Sequence, residues 1–187
     1  TTTHISAATG LVAWSLVETW RGGKPTAVGM ATGAVAGLVG ITPGAGFVTP
    51  AAGMAIGAIT ALLCYISVQL KVSLRFDDSL DTFAVHGVGG TIGAILTGVF
   101  ASSELISSHP AGRILAENGR LALIGGQFQA VLVAYGLAAL GTLLIAIVLR
   151  GLGMPFRVPE EAENLGVDVR EHGEEAYPER IGSPQLH

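Results

Sequence analysis

The sequence predicts an all-α polytopic membrane protein, and three observations carry that reading: scarcity of charge, apolar runs of membrane-crossing length, and glycines spaced four apart within those runs. Half of the 187 residues are hydrophobic and 13% are charged, about half the charged share of an ordinary soluble domain. Lipid is the solvent that such a composition suits.

A spanning helix needs about 20 mostly apolar residues, and polar breaks divide the chain into five such runs. The first, residues 3–19, is short. With no initiator Met, basic leader or small-residue cleavage site before it, it reads as the middle of a helix, and the chain as a fragment. The second, residues 25–46, opens on Pro25 and closes on the breaker-rich Thr42-Pro43-Gly44-Ala45-Gly46, proline suiting a helix start and glycine its end. The third covers residues 50–72, the fourth 79–101 and the fifth 121–149, with polar stretches over residues 102–120 and from 151 onward. Residues 1–150 are thus expected to be the transmembrane region and 151–187 a cytoplasmic tail. The sets Gly29/Gly33/Gly37, Gly40/Gly44, Gly53/Gly57 and Gly89/Gly93 put small residues on one helix face, where backbones can approach closely.

Lys and Arg are enriched in short cytoplasmic loops. Five crossings place Arg21, Lys24, Lys71, Arg75, Arg150 and Arg157 on one side and Arg113 and Arg120 on the other. The richer side is assigned to the cytoplasm, and the C-terminus with it. Residues 159–180 hold eight of the fourteen acids against Arg170 and Arg180, so the acidity belongs to a water-facing tail. No basic stripe offers itself to nucleic acid. Cys64 is the only cysteine, which excludes a disulfide framework or a cysteine metal site.

A soluble glycine-rich α/β core is the competing reading of Gly87, Gly89, Gly90 and Gly93. It lacks the preceding strand and the acidic ribose partner placed in a βαβ unit.

His86 is the only histidine well inside a complete run, seven residues beyond Ser79, which puts it roughly 10 Å along a helix. An ionisable group at such depth usually faces a cavity, a partner or a pathway. Steps of four align Asp78, Thr82, His86 and Gly90, as one wall of a narrow passage would require. Spacing alone leaves open a neutral histidine bonded to another helix as packing glue. Asp77, Asp78 and Asp81 open the same run. Capping and complementing the helix dipole is their plainest role, and the alternative is tying down loops at the inner mouth. His4, His109, His172 and His187 make no metal-ligand spacing with His86. With no Gly-x-Ser-x-Gly and no intramembrane carboxylate pair, enzyme is the weak class; no cofactor or metal is expected.

Four stretches resemble the ammonium transporter (Amt/Mep/Rh) family in order and spacing. They are Gly23-Lys24-Pro25-Thr26, then residues 34–43 (AVAGLVGITP), then residues 77–90 (DDSLDTFAVHGVGG), and then the tail with Arg157-Val158-Pro159-Glu160-Glu161, Gly166-Val167-Asp168 and residues 171–177 (EHGEEAY). The tail is similar to the Amt branch in particular.

The resemblance implies an eleven-helix fold of two inverted repeats plus a final helix, assembled as a homotrimer with one pore per subunit. This chain would supply helices seven to eleven. His86 matches the second of the family's paired pore histidines; Thr82 would line the pore one turn below it, and Thr32 takes the place of a small hydroxyl residue in the inner conduit. The family often has an aliphatic residue where Thr82 stands. Asp78 and Asp81 fall at the inner mouth. The outer recruitment site, the phenylalanine constriction and the first histidine belong to helices one to six. The implied function is ammonium or ammonia transport through a histidine-lined apolar pore in the plasma or inner membrane, in contact with lipid. A P-II-type regulatory protein is the implied cytoplasmic partner. The alternative is an ammonium sensor signalling through its tail.

Overall fold

In the computed structural model, which describes residues 1–174, the chain is helical almost throughout. Helix α1 spans Thr2–Gly22, α2 Ala27–Ile41 and α3 Pro50–Ser73. A wide π turn, Phe83–Gly87, leads into α4, Val88–Phe100, and α5 covers Pro110–Gly151. Two short helices, α6 (Glu160–Leu165) and α7 (Val167–His172), complete the described tail. The tail residues Glu175, Ala176, Tyr177, Glu179, Arg180 and His187 lie outside the described residues.

Local chemistry accounts for the helix ends. Gly23 ends α1 in the left-handed conformation at φ 86°, its N–H donating to the Thr19 carbonyl, a conformation that glycine adopts without Cβ strain. The Thr26 and Thr49 hydroxyls accept from Gly29 N and Ala52 N at the starts of α2 and α3, satisfying N–H groups that have no partner inside the helix. Pro50 occupies the first turn of α3, where its missing donor costs nothing. At the other end of α2, Pro43 cannot extend the hydrogen-bond ladder. The apolar run expected as one helix over residues 25–46 is therefore a 15-residue helix followed by turns.

Two further boundaries depart from the expected runs. Helical structure in the fourth begins near Phe83 instead of Ser79, because the aspartates organise a turn ahead of it. The polar stretch 102–120 is helical from Pro110, and α5 is broken at Gly119, whose φ of 80° and ψ of 176° no helix accommodates.

Among the described residues, α3, the run Phe83–Phe100 and α5 are long and apolar enough to cross a membrane. With long apolar helices and no strand among the described residues, the protein is an all-α polytopic membrane protein.

Two compact units divide the chain, Thr1–Tyr135 and Gly136–His187. In the first, α1, α2, α3 and α4 meet through small residues. A Cβ on Gly37 would strike the Ser6 carbonyl and the Ala7 Cα of α1, and one on Gly93 would strike the Gly40 backbone of α2. Ser6 also donates its hydroxyl to the Gly37 carbonyl at 2.8 Å in a buried contact. Around these crossings Trp14, Ala36, Ala61, Cys64, Tyr65 and Val85 form one buried cluster and Ile41, Val48 and Ile56 another. The Trp14 and Tyr65 rings meet edge to face, 5.1 Å between centroids. At the far end of α4, the Arg120 guanidinium donates to the carbonyls of Gly98, Val99 and Ala101, closing a helix terminus whose carbonyls lack intrahelical partners.

In the second unit the remainder of α5 exposes Leu137, Leu140, Leu143, Leu144, Ile145, Ile147 and Val148, a surface suited to lipid or to other apolar helices. Beyond it, Gly166 at φ 100° separates α6 from α7, and Arg157 lies 3.8 Å from Glu163 in an exposed pair.

Candidate functional site

The site grows from the turn between α3 and the π turn. Asp78 holds its two carboxylate oxygens 2.9 Å from Thr82 N and Phe83 N, so it caps the incoming helical segment. Of the three aspartates for which capping is the plainest role, Asp78 takes it, whereas Asp77 makes no such bond among the described residues. The Lys71 ammonium at the end of α3 donates to the Asp78 carbonyl and pairs with the Asp81 carboxylate. Asp81 sits in the left-handed region at φ 54°, and its carbonyl accepts from Val85 N at 2.9 Å. One lysine thereby fastens the end of α3 to the start of the next crossing.

Partial desolvation pushes the Asp78 carboxyl up, but N–H donation from Phe83, Thr82 and Ala84 and the Lys71 charge together hold it below the usual carboxylate range. A group whose folded pKa is depressed stabilises the fold above its unfolded pKa and loses that contribution as pH falls through the folded one. The turn should accordingly keep its order near neutrality and loosen below about pH 4. Thermal unfolding across that range should show an acid-side loss that Asp78→Asn removes; an unchanged acid limb in the variant would contradict the assignment.

In the π turn, Val88 N reaches back to the Phe83 carbonyl, one residue further than an α-helix allows. Ala84 and Val85 are buried, Val85 within the core cluster and its carbonyl 3.7 Å from the Cys64 thiol. Thr82, Phe83 and His86 are exposed. His86 is three residues beyond Phe83, so counted from the first residue of this span it stands in the opening turn, not seven residues in. Such turns are rare and recur at functional positions. The extra residue per turn also shifts the four-residue stripe that sequence spacing drew through Thr82, His86 and Gly90.

Thr32 is half-buried on α2 and donates to the Val28 carbonyl at 2.9 Å. No hydrogen bond joins Thr32, Thr82 and His86 to one another among the described residues. Beside the turn, Leu70, Lys71, Leu74, Phe76 and Phe83 line an open cavity of about 270 Å³, and the Phe76 and Phe83 rings lie 6.4 Å apart. No cluster of three metal-ligating side chains occurs among the described residues.

Sequence reasoning missed three participants. Lys71 was read only as a topology marker, the π turn is invisible to a search at helical period, and Tyr135 lay unremarked in an apolar run. The Tyr135 hydroxyl is 3.1 Å from the Gly87 carbonyl and 2.8 Å from the Thr91 hydroxyl, which itself donates to Gly87 O at 2.7 Å.

Membrane-crossing helices joined by glycine crossings, with a histidine exposed on a π turn behind an aspartate cap, define a polytopic helical membrane protein with a polar feature in one crossing. The profile of the Ammonium Transporter Family matches residues 1–177, and the chain belongs to that family. It is 43% identical over 176 residues to an ammonium transporter of Bacillus subtilis, covering 94% of this chain and 43% of that protein. To an ammonium transporter of Aquifex aeolicus it is 42% identical, covering 94% and 40%. Among solved structures it is similar to one described as Sensor Amt Protein, with TM-score 0.76 and 33% identity over 91% of this chain and 40% of that one. It is also similar to Saccharomyces cerevisiae Mep2, with TM-score 0.58 and 37% identity over 71% and 32%. The chain spans less than half the length of these relatives.

Proposed function

We propose that this chain forms part of a transporter carrying ammonium or ammonia across a membrane, with His86, Thr82 and Thr32 along the pathway and Asp78 and Asp81 ordering its inner mouth. The observation that carries the proposal is His86, exposed on a π turn of a membrane-crossing run in a chain of this family. A bare cation in the bilayer interior is costly. An imidazole can accept or donate a hydrogen bond and pass a proton, so it suits a small weak acid that sheds water and a proton to cross. Transport needs no bond made or broken in the protein, and the proposed role is not enzymatic.

The assembly proposed is a homotrimer in the cell membrane, with five crossings in this chain and residues 151–187 in the cytoplasm. The acidic tail, with α6 and α7 set off by Gly166, is the surface proposed for a P-II-type regulatory protein. A second reading, an ammonium sensor, draws support from the similarity to the solved Sensor Amt Protein, at TM-score 0.76 and 33% identity.

In the full-length protein reconstituted in liposomes, His86→Ala should abolish or alter ammonium flux while trimer assembly and membrane yield stay near wild type. Unaltered flux accompanied by poor yield would favour the packing role. Ammonium-dependent signalling that survives when flux is lost would favour the sensor.

A further inference from the structure

The geometry points to Tyr135 as a positioning residue for His86: its hydroxyl, reaching from α5, holds the Gly87 carbonyl at the end of the π turn and so fixes the direction in which the neighbouring imidazole is presented. This inference rests on the transport reading for its functional consequence, though not for the contact itself.

Three oxygens form a small triangle. Thr91 Oγ1 lies 2.7 Å from Gly87 O, Tyr135 Oη lies 3.1 Å from the same carbonyl, and the two hydroxyls are 2.8 Å apart. Each hydroxyl owns one hydrogen, so two hydrogens serve three contacts. One edge is always without a donor, yet in every arrangement at least one hydroxyl donates to the carbonyl. The Thr91 contact lies within its own helix, four residues from Gly87, whereas Tyr135 is 48 residues away. Only Tyr135 ties the turn to another crossing at this point.

A π turn is wider than the helix it interrupts, and its side-chain directions depend on where the extra residue is accommodated. Val85 is fixed on the inner side by the core. On the other side His86 is exposed and adjoins Gly87, which has no side chain with which to anchor itself. The carbonyl of Gly87 is therefore the handle available there, and its place in a run apolar enough to cross a membrane makes a hydroxyl bond to it worth keeping.

Tyr135→Phe in the full-length transporter keeps the ring and removes only the hydroxyl. Expected is wild-type yield and thermal stability, a fall in ammonium flux of about fivefold, the equivalent of one neutral hydrogen bond, and a displaced pH profile of uptake. With ¹⁵N-labelled histidine, the His86 ring signals should move while those of His4 and His109 stay in place. Thr91→Ser, which keeps the hydroxyl, should leave flux and spectra unchanged. His86 signals unmoved in Tyr135→Phe would overturn the positioning role, as would movement of all histidine signals together, the mark of general loosening. If His86→Ala leaves flux intact, the transport reading fails, and the spectra still decide the contact.

Discussion

Gly93→Val is expected to disrupt the packing of α2 against α4 and to cost the protein most of its stability in detergent. A Cβ at Gly93 would fall on the carbonyl carbon, oxygen and Cα of Gly40. Those atoms belong to a backbone inside a helix, so no side-chain rotation can make room. Overpacking a well-packed interior usually costs about 1–3 kcal/mol and occasionally more, and contact between two backbones belongs at the upper end because an entire helix must shift. The neighbouring contacts are no freer. Gly40 itself abuts Thr60, and Gly89 abuts Cys64 and Thr60, so α4 has little space to slide. Gly90 supplies the control: a Cβ there meets nothing within 4 Å. Gly90→Ala should be neutral or slightly stabilising, since alanine gives up less backbone freedom in a helix than glycine does. Thermal unfolding of both variants in the same detergent tests the argument, and equal melting temperatures would defeat it.

The glycine crossings were legible in the sequence because close backbone approach depends on one local property, the absence of a Cβ. Of the residues spaced four apart, Gly33, Gly37, Gly57 and Gly93 meet backbone atoms of another helix, whereas Gly44 and Gly53 lie chiefly against side chains of Thr97 and Thr2. The apolar runs were legible for a similar reason, since hydropathy adds up along the chain without reference to the fold.

What stayed hidden depends on pairs distant in sequence or on a change of helical period. A search at 3.6 residues per turn assumes regular geometry and cannot find the π turn at Phe83–Gly87. It also set the start of that crossing four residues too early, because Asp78 binds Thr82 N and Phe83 N from within a turn. Arg120 had appeared only in a count of loop charges, yet it caps α4 across 19 to 22 residues. Tyr135 gave no signal, as an aromatic residue in an apolar run has packing as its default role.

Asp81 is expected to show an order of destabilisation that side-chain size does not predict: Asp81→Asn mildest, Asp81→Gly intermediate and Asp81→Ala most severe. Two contributions separate the three. The first is the contact with Lys71, whose side chain is 14% exposed against 31% for Asp81. Exposed pairs contribute up to about 1 kcal/mol and breaking a buried one costs about 3–5 kcal/mol, so a partly covered pair falls between. Asparagine keeps an acceptor for the ammonium, whereas glycine and alanine leave it with the Asp78 carbonyl alone. The second contribution is the backbone at φ 54°. Left-handed geometry costs an ordinary L-residue about 1–2 kcal/mol; Asn and Asp tolerate it better, and glycine does so freely. Alanine therefore loses the contact and bears the strain, while glycine loses the contact but relieves the strain, at some cost in unfolded-state entropy. Melting temperatures of the three variants in the full-length protein measure the order directly. A glycine variant less stable than the alanine variant would show that the left-handed turn at Asp81 is not maintained in the membrane, and that Lys71 holds the start of this crossing by its charge alone.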